Sequence, residues 1–557
     1  NQSSYTFING KSEKTITTSY SFYVQATKEG NYTITSASIK SNSKLIKSKS
    51  YNLKVVKGNQ KNQAEINNNL FISVETSKRN IVIGEQILIK YKLHTRVDLQ
   101  NTEVTALPNL NGFWSKDLES SSRFKREVIN GVPYNDSESY MSYWVDLPDF
   151  ASSIESIQIQ RGVGTSTNGS AAFGGSVNIQ TNAVSDVALF EINNSLGSFN
   201  TVKNSVSFST GFINDKFELS GRLSRIKSGG YIDRSGSKLR SYFLQGIYKD
   251  SNTLIKLLNF AGHEITDQAW FGIDSTTLES NRRYNPAGEY YDKNGNVLYY
   301  DNQDDNYKQD HYQLHWNQDY ENGWISNFGL HYTYGRGFFE NYNLAFDSNS
   351  SDNIDRRWLD NDFYGLIFSF NNNSDNYNAI IGGSYNKYDG EHFGEYLWSA
   401  GSNQLSNFKE RFYSDYGNKS ELNFYAKLDY YLSKNLSIYG DLQYRNINYN
   451  ASITPYSVIS GYVEQGYDKI DKKFNFFNPK IGLNYNHNEN NQFYISYARA
   501  QREPTRADYA NGSPNPEKLD DFELGWRRNF NSFSINLNAF YMLYDDQLVL
   551  TGERDIN

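Results

Sequence analysis

Residues 154–181 read Ile154-Glu155-Ser156-Ile157-Gln158-Ile159-Gln160-Arg161-Gly162-Val163-Gly164-Thr165-Ser166-Thr167-Asn168-Gly169-Ser170-Ala171-Ala172-Phe173-Gly174-Gly175-Ser176-Val177-Asn178-Ile179-Gln180-Thr181. Ile154 to Gln160 and Ser176 to Thr181 alternate apolar and polar residues, the two-residue period of a half-buried strand. Between them Gly162, Gly164, Gly169, Gly174 and Gly175 supply turns with positive φ and room for backbones to approach. The stretch predicts a strand–loop–strand unit packed against another part of the chain, although composition alone also allows an ordinary glycine-rich hairpin.

Beyond this unit the same period becomes regular. Leu422, Phe424, Ala426, Leu428, Tyr430 and Leu432 form one face of a predicted strand, and Asn423, Tyr425, Lys427, Asp429 and Tyr431 the other. After Ser433-Lys434-Asn435 the alternation resumes with Leu436, Ile438, Gly440, Leu442 and Tyr444. Tyr312, Leu314 and Trp316 repeat it, as do Phe533, Ile535, Leu537 and Ala539. In a water-soluble sandwich the apolar face points inward, whereas in an outer-membrane barrel it meets lipid.

Connection length separates the two. Short turns at Asn214-Asp215, Glu321-Asn322-Gly323, Asn371 to Asp375, Ser433 to Asn435 and Asn529 to Ser532 alternate with long polar stretches at His263–Asp310, Glu340–Asp362, Asp389–Lys419 and Ala451–Lys473. Long connections on one rim and short ones on the other predict a membrane barrel with its long loops outside the cell. About fifteen strands are expected between Ala188 and Val549, an odd number where a complete bacterial barrel has an even one.

Composition agrees. The 557 residues exceed one ordinary domain unless they close a large barrel, and Tyr 45, Phe 34 and Trp 8 against Pro 9 favour strands. No run of 18 apolar residues occurs, so no transmembrane helix is encoded, which leaves a barrel open. The mean hydropathy of −0.71 suits strands that turn one side to water. Cysteine is absent, which removes disulfides and thiolate metal sites. Residues 1–130 carry 19 Lys+Arg against 10 Asp+Glu, and the remainder 36 against 52. This basic part shows no stripe interleaved with aromatics, so nucleic acid is not an expected partner.

Ile154-Glu155-Ser156-Ile157, Arg161-Gly162 and Phe173-Gly174-Gly175-Ser176-Val177-Asn178-Ile179 resemble the end of the plug domain of TonB-dependent outer-membrane receptors. Asn135-Asp136-Ser137-Glu138-Ser139 and Trp144 to Asp149 resemble the segment ahead of it, and Ser496-Tyr497-Ala498 with Arg502-Glu503-Pro504 a strand-to-loop segment of the barrel. Lys28-Glu29-Gly30 with Tyr32 and Ile34, Ser48 to Lys57, Gly84-Glu85-Gln86 and Leu107-Pro108 with Gly112-Phe113-Trp114 resemble the periplasmic β-domains of BatD-type aerotolerance proteins. The resemblances imply an all-β chain: an incomplete transmembrane β-barrel with a partial plug, preceded by Ig-like β-sandwich fragments. Residues 1–57 are read as a partial sandwich domain, 58–69 as a linker, 70–130 as a second partial sandwich domain, 131–187 as the C-terminal part of the plug, and 188–557 as a barrel lacking its last strands. In the first part Ser19–Ala26, Asn31–Ala37, Tyr51–Val56 and Ile81–Ile89 read as strands. The resemblances and the charge switch meet near Asn130–Asn135, read as a junction between unrelated coding sequences.

By resemblance the chain is a receptor for a bulky, scarce nutrient such as a ferric siderophore, sits in outer-membrane lipid with its N-terminal part in the periplasm, and works with the TonB complex. The segment that contacts TonB is missing from the sequence as read, so transport by this chain alone is not expected. The alternatives are a periplasmic interaction protein of the BatD type and a passive porin-like channel. Resemblance also pairs Arg161 with Glu523, a plug arginine with a carboxylate on the inner wall. Trp270, Trp358 and Trp398, with Tyr290, Tyr291 and Tyr299, are expected in the long loops, where rings either grip a ligand or pack the loops together. Scattered histidines such as His263 and His311 read as solvated loop residues. No catalytic group, metal site or cofactor is expected.

Overall fold

The computed structural model describes residues 125–169, 173–181, 185, 187–345, 351–400, 409, 411–454, 468–488, 490–510, 512, 514–530 and 534–547, together with eight strands ahead of them; the side chains of those eight strands and of Lys125, Arg126, Arg161 and Asn168 are not described. The chain divides into two units, one of residues 1–120, 274–276 and 528–535, the other of the remainder. In the first lie β1 (Gln2–Ile8), β2 (Lys11–Thr17), β3 (Gly30–Ile34), β4 (Ser38–Ser41), β5 (Lys44–Lys47), β6 (Tyr51–Val55), β7 (Leu70–Thr76) and β8 (Ile89–Thr95). They pair antiparallel as β1 with β2, β3 with β6, β4 with β5 and β7 with β8. The expected strand over Ser19–Ala26, the linker 58–69 and residues 81–88 of the expected Ile81–Ile89 strand lie outside the described residues.

The second unit opens with a four-stranded sheet of β9 (Lys125–Ile129), β10 (Val132–Pro133), β11 (Ile154–Arg161) and β12 (Gly175–Thr181), ordered β10-β9-β12-β11. β11 and β12 run antiparallel from Ile154 opposite Thr181 to Arg161 opposite Gly175, which is the strand–loop–strand unit read from the sequence. β12 lies parallel to β9 on its other side.

A second sheet holds fifteen antiparallel strands, the number expected. They are β13 (Ala188–Gly197), β14 (Thr201–Thr210), β15 (Phe217–Ser228), β16 (Ser237–Lys249), β17 (Thr253–Asp267), then, after a loop hairpin of β18 (Glu289–Tyr291) and β19 (Val297–Tyr299), β20 (Asp304–Asp319), β21 (Trp324–Asn343), β22 (Asn353–Asn373), β23 (Tyr377–Ser399), β24 (Arg411–Tyr431), β25 (Leu436–Ile453), β26 (Asp468–Asn488), β27 (Asn491–Arg502), β28 (Glu517–Asn529) and β29 (Ser534–Asp545). Each pairs with the next in sequence, and β13 and β29 end the order.

Burial in this sheet is inverted relative to a soluble protein. On β25 Leu442 is 50% exposed while Gln443 beside it is 4% exposed, and Asp441 and Arg445 are buried on the side of Gln443. Phe424, Leu314, Trp316, Leu524 and Leu537 are likewise exposed, whereas Asn423, Gln313 and Asp521 are buried. The plug covers the polar face: Ile129, Leu147, Phe150 and Ile179 pack with Phe243, Leu258 and Phe260 of β16 and β17. A β-carbon on Gly262 would lie 1.8 Å from the Asp146 carbonyl oxygen, so glycine is what lets the turn Trp144–Asp146 seat on β17.

From β15 onward connections alternate long and short as expected, whereas β13 and β14 are joined by residues 198–200 alone, and the long connections are shorter than their composition suggested. β21 to β24 run 20 to 23 residues, about twice what crosses hydrocarbon, so Trp358 lies in β22 and Trp398 in β23 rather than in loops. Their outer halves keep ladder hydrogen bonds although lipid no longer selects the outward residues, so the two-residue signal fades while the strand continues.

The inverted burial puts hydrocarbon against Leu442. Leu442→Arg is expected to lower unfolding stability in lipid vesicles by about 2–4 kcal/mol, as for a cation on the lipid face of a barrel. A denaturant titration checks this; a change below about 0.5 kcal/mol, normal for a water-facing position, would contradict it.

Candidate functional site

The plug is fastened to the wall by a few plug residues that reach many strands. Glu138 stands in a turn that Asp136 braces by accepting bonds from the Glu138 and Ser139 amides. Its Oε2 is 2.7 Å from His392 Nε2 of β23, and its Oε1 accepts from Tyr449 Oη of β25 at 2.6 Å and Arg506 Nη1 at 3.1 Å. The Arg506 amide also donates to the Glu138 carbonyl at 3.0 Å. A β-carbon on Gly417 would lie 2.2 Å from Glu138 Oε1, so β24 leaves space for this carboxylate. Burial alone would raise the Glu138 carboxyl; the bond and charge of His392, then Arg506 and Tyr449, bring it down to about 2.

Next to it Tyr140 donates to Glu503, which is 0% exposed. Lys419 Nζ stands 2.8 Å and Arg445 Nη2 3.2 Å from the same carboxylate, and Arg445 Nε 2.7 Å from Glu421. Burial opposes the charge on Glu503, but the two cations hold its carboxyl well below the ordinary range. Lys419 also donates to the Ser137 carbonyl at 2.8 Å. Such a network adds little net stability over an apolar packing of equal volume, but removing one member strands the others and costs about 3–5 kcal/mol.

Two further anchors lie elsewhere on the plug. Asp149, in the left-handed region at φ 56°, takes Lys203, Arg222 at 3.2 Å and Ser224 at 2.7 Å from β14 and β15. Ser166 donates its amide to Asp441 at 2.9 Å and receives Lys480 at 2.7 Å, from β25 and β26.

Glu523 turns toward the plug while Phe522 and Leu524 on either side are exposed. Its Oε1 would lie 3.4 Å from a β-carbon on Gly162, and Asp521 Oδ2 3.5 Å from it. The Arg161 side chain of the expected pair lies outside the described residues. Gly162 (φ +72°) and Gly169 (φ +97°) hold the plug turns, Gly164 and Gly169 face Gln443 and Lys480, and Gly174 accepts the Gly162 amide at 3.2 Å ahead of Gly175 in β12. His311, read as a loop residue, is buried in β20 and stacks on Phe260 at 4.6 Å. His263 belongs to β17. Sequence reading missed Glu138, Tyr140, Asp149 and Ser166 as anchors; the signal was there only as Glu138 and Asp149 lying in segments without strand alternation.

Above these anchors a cavity of about 440 Å³ opens between plug and wall. Tyr134, Tyr143 and Asp146 of the plug line one side; Phe338, Trp358 and Tyr388 line the other. Trp358 stacks on Phe393 at 5.8 Å and donates to Glu395 at 3.1 Å, which fixes its ring. Trp270 and Trp398 are exposed and do not line this cavity, and Trp398 stacks on Tyr342 at 6.0 Å. Among the described residues no group of three or more His, Cys, Asp or Glu could hold a metal ion.

Comparison with protein families matches residues 248–557 to the TonB dependent receptor-like β-barrel and residues 1–55 to a BatD DUF11 like domain. The chain belongs to the TonB-dependent receptor β-barrel family, whose members are outer-membrane transporters and not enzymes. Among solved structures it is similar to the alcaligin outer-membrane receptor FauA of Bordetella pertussis, at 14% identity and TM-score 0.54, over 78% of this chain and 65% of that one. It is also similar to the ferric-catecholate import receptor Fiu of E. coli K12 in an open form, at 13% identity and TM-score 0.55, over 76% and 68%. A third likeness is to the copper transporter OprC, at 13% identity and TM-score 0.57, over 76% and 64%. The chain thus spans about two thirds of the length of these structures. Comparison with curated proteins gives no match.

Because the Glu138 carboxyl moves from 4.5 to about 2 on folding, its contribution is complete above pH 4.5 and is lost as pH falls through 2. Glu138→Gln is expected to lower plug stability by about 3 kcal/mol at pH 7 and by much less near pH 2. Hydrogen exchange of residues 133–146 at both pH values checks this; an equal loss at both would contradict it.

Proposed function

We propose that this chain is the receptor portion of an outer-membrane uptake protein that takes a bulky, scarce nutrient into the cavity between plug and wall. The cavity carries the reading: its volume falls within the 300–1,000 Å³ of small-molecule sites, and rings from plug and wall face it together. A passive pore wide enough for such cargo would leak, so a lumen that admits it must be blocked and opened with work. The plug fits that task because it is tied by separate polar anchors at Glu138, Asp149 and Ser166. Each can be exchanged for water as the plug moves, whereas one continuous apolar seam would have to be exposed. The TonB complex is proposed as the source of that work. A ferric siderophore is proposed as the cargo class, supported by the named cargoes of the similar receptors, alcaligin and ferric catecholate.

The test is titration of the folded chain in detergent with ferric hydroxamate, ferric catecholate and ferric citrate, followed by quenching of tryptophan fluorescence. At least one is expected to bind saturably, with Trp358→Ala weakening it tenfold or more and Trp270→Ala or Trp398→Ala less than twofold. Saturable binding by none of the three would count against a siderophore cargo, and binding indifferent to Trp358→Ala would remove it from this cavity.

A further inference from the structure

The charges on the cavity wall are lopsided. Asp136 and Asp146 of the plug and Glu264 and Asp305 of the wall contribute four carboxyl groups. The basic or titratable nitrogens there are Arg357, His311 and His392, and all have partners. Asp355 holds Arg357 at 3.0 Å, Glu138 stands 2.7 Å from His392, and Gln309 and Thr333 are hydrogen-bonded to His311. Asp136 is occupied in its turn by the Glu138 and Ser139 amides. Among the described residues, Asp146, Glu264 and Asp305 therefore face the cavity without a paired cation.

Glu264 is the sharpest of these. It is 1% exposed; its carboxyl is hydrogen-bonded to Thr266 and Asp305, and among the described residues its Oε2 has no partner although Glu264 lines the open space. A buried acceptor left unmatched costs free energy, and such an atom in a native fold points to a function or an absent partner. The arrangement is built by the ladder. Glu264 lies opposite Tyr307 and Thr266 opposite Asp305, so Asp305 stands one same-face step from Glu264 on the neighbouring strand. Gly262, two residues before Glu264, is where Asp146 comes down onto β17.

We infer that the ligand of this cavity carries a cationic nitrogen, an ammonium or guanidinium, on an aromatic or apolar body, with the nitrogen seated among Asp146, Glu264 and Asp305. The inference rests on the receptor reading above and narrows its cargo. The cation supplies the donor that Glu264 Oε2 lacks and relieves a crowding that pushes the Asp146 carboxyl, through burial and then Asp305 and Asp136, up to about 7. Phe338 and Trp358 line the cavity beside the body of the ligand, while Arg356, 4.2 Å from the Phe338 ring, and Arg336, 5.2 Å from the Trp358 ring, already make their cation–π contacts. A chelate with net negative charge and no cationic group meets like charge here, a ground for discrimination between ligands.

Three probes that share one dansyl fluorophore test this on the full chain folded in detergent: dansylcadaverine with its free ammonium, its N-acetyl derivative, and dansyl-aminohexanoate with a carboxylate. The ammonium probe is expected to bind at least tenfold more tightly than the acetylated one, and the carboxylate probe most weakly. Asp146→Asn combined with Glu264→Gln is expected to erase the difference between the first two probes. That variant is expected to melt no lower than the parent, since it removes carboxylates that burial disfavours. Should it not fold, Asp305→Asn alone is expected to cut the preference at least threefold. Equal affinities or a reversed order, with Trp358→Ala weakening all three probes, would overturn the charge assignment and leave the cavity reading standing. No saturable binding by any probe would overturn both.

Discussion

The constraint on which the rest depends is the inversion of polarity across one sheet. A wall with Leu442, Phe424 and Leu314 facing out and Gln443, Asn423 and Gln313 facing in cannot be buried in water against another sheet, because its apolar side lacks a partner. In hydrocarbon the difficulty disappears, and from β13 to β29, which end the order, each strand of the sheet bonds to the backbone of the next. The polar side then needs something to cover it. The plug does so with apolar patches where Phe150 meets Phe260 and where Phe173 meets Ala500 and Leu519, and with polar anchors besides.

Those anchors explain how a plug can be both firm and removable. Glu138 gathers His392, Tyr449 and Arg506, and Tyr140 leans on the Glu503 network, so one short plug segment ties β23, β25 and the turn after β27 together. Interactions of this kind are strong while dry and nearly worthless once wet, since the charges are as well served by water. A pull that admits water along one edge would release them in succession. The same segment borders the cavity, so a ligand resting on Tyr134 and Tyr143 touches the part of the plug that has to move.

The sequence made the side of each strand legible and left its partners hidden. Alternation along Leu422–Tyr444 told which residues face outward, and the rhythm of short and long connections gave fifteen strands. The glycine-rich stretch announced β11 and β12. Nothing in the pattern told which plug residue meets which wall residue: Glu138 lies 254 positions from His392 and 368 from Arg506, and period-two arguments carry no information at that separation. Trp358 and Trp398 read as loop residues because outside the membrane a strand has no reason to keep an oily face. His311 read as solvated because its stacking partner, Phe260, sits on another strand.

The most direct measurement of the central claim is site-directed spin labelling in lipid bilayers, convenient because the chain has no cysteine. Nitroxides placed singly at Leu442, Gln443 and Tyr444 on β25 should alternate, with 442 and 444 relaxed strongly by dissolved oxygen and 443 protected from both oxygen and a water-soluble nickel chelate. If 443 were the oxygen-accessible site, or if all three were equally protected as in two sheets packed face to face, the inside-out wall and everything built on it would be contradicted.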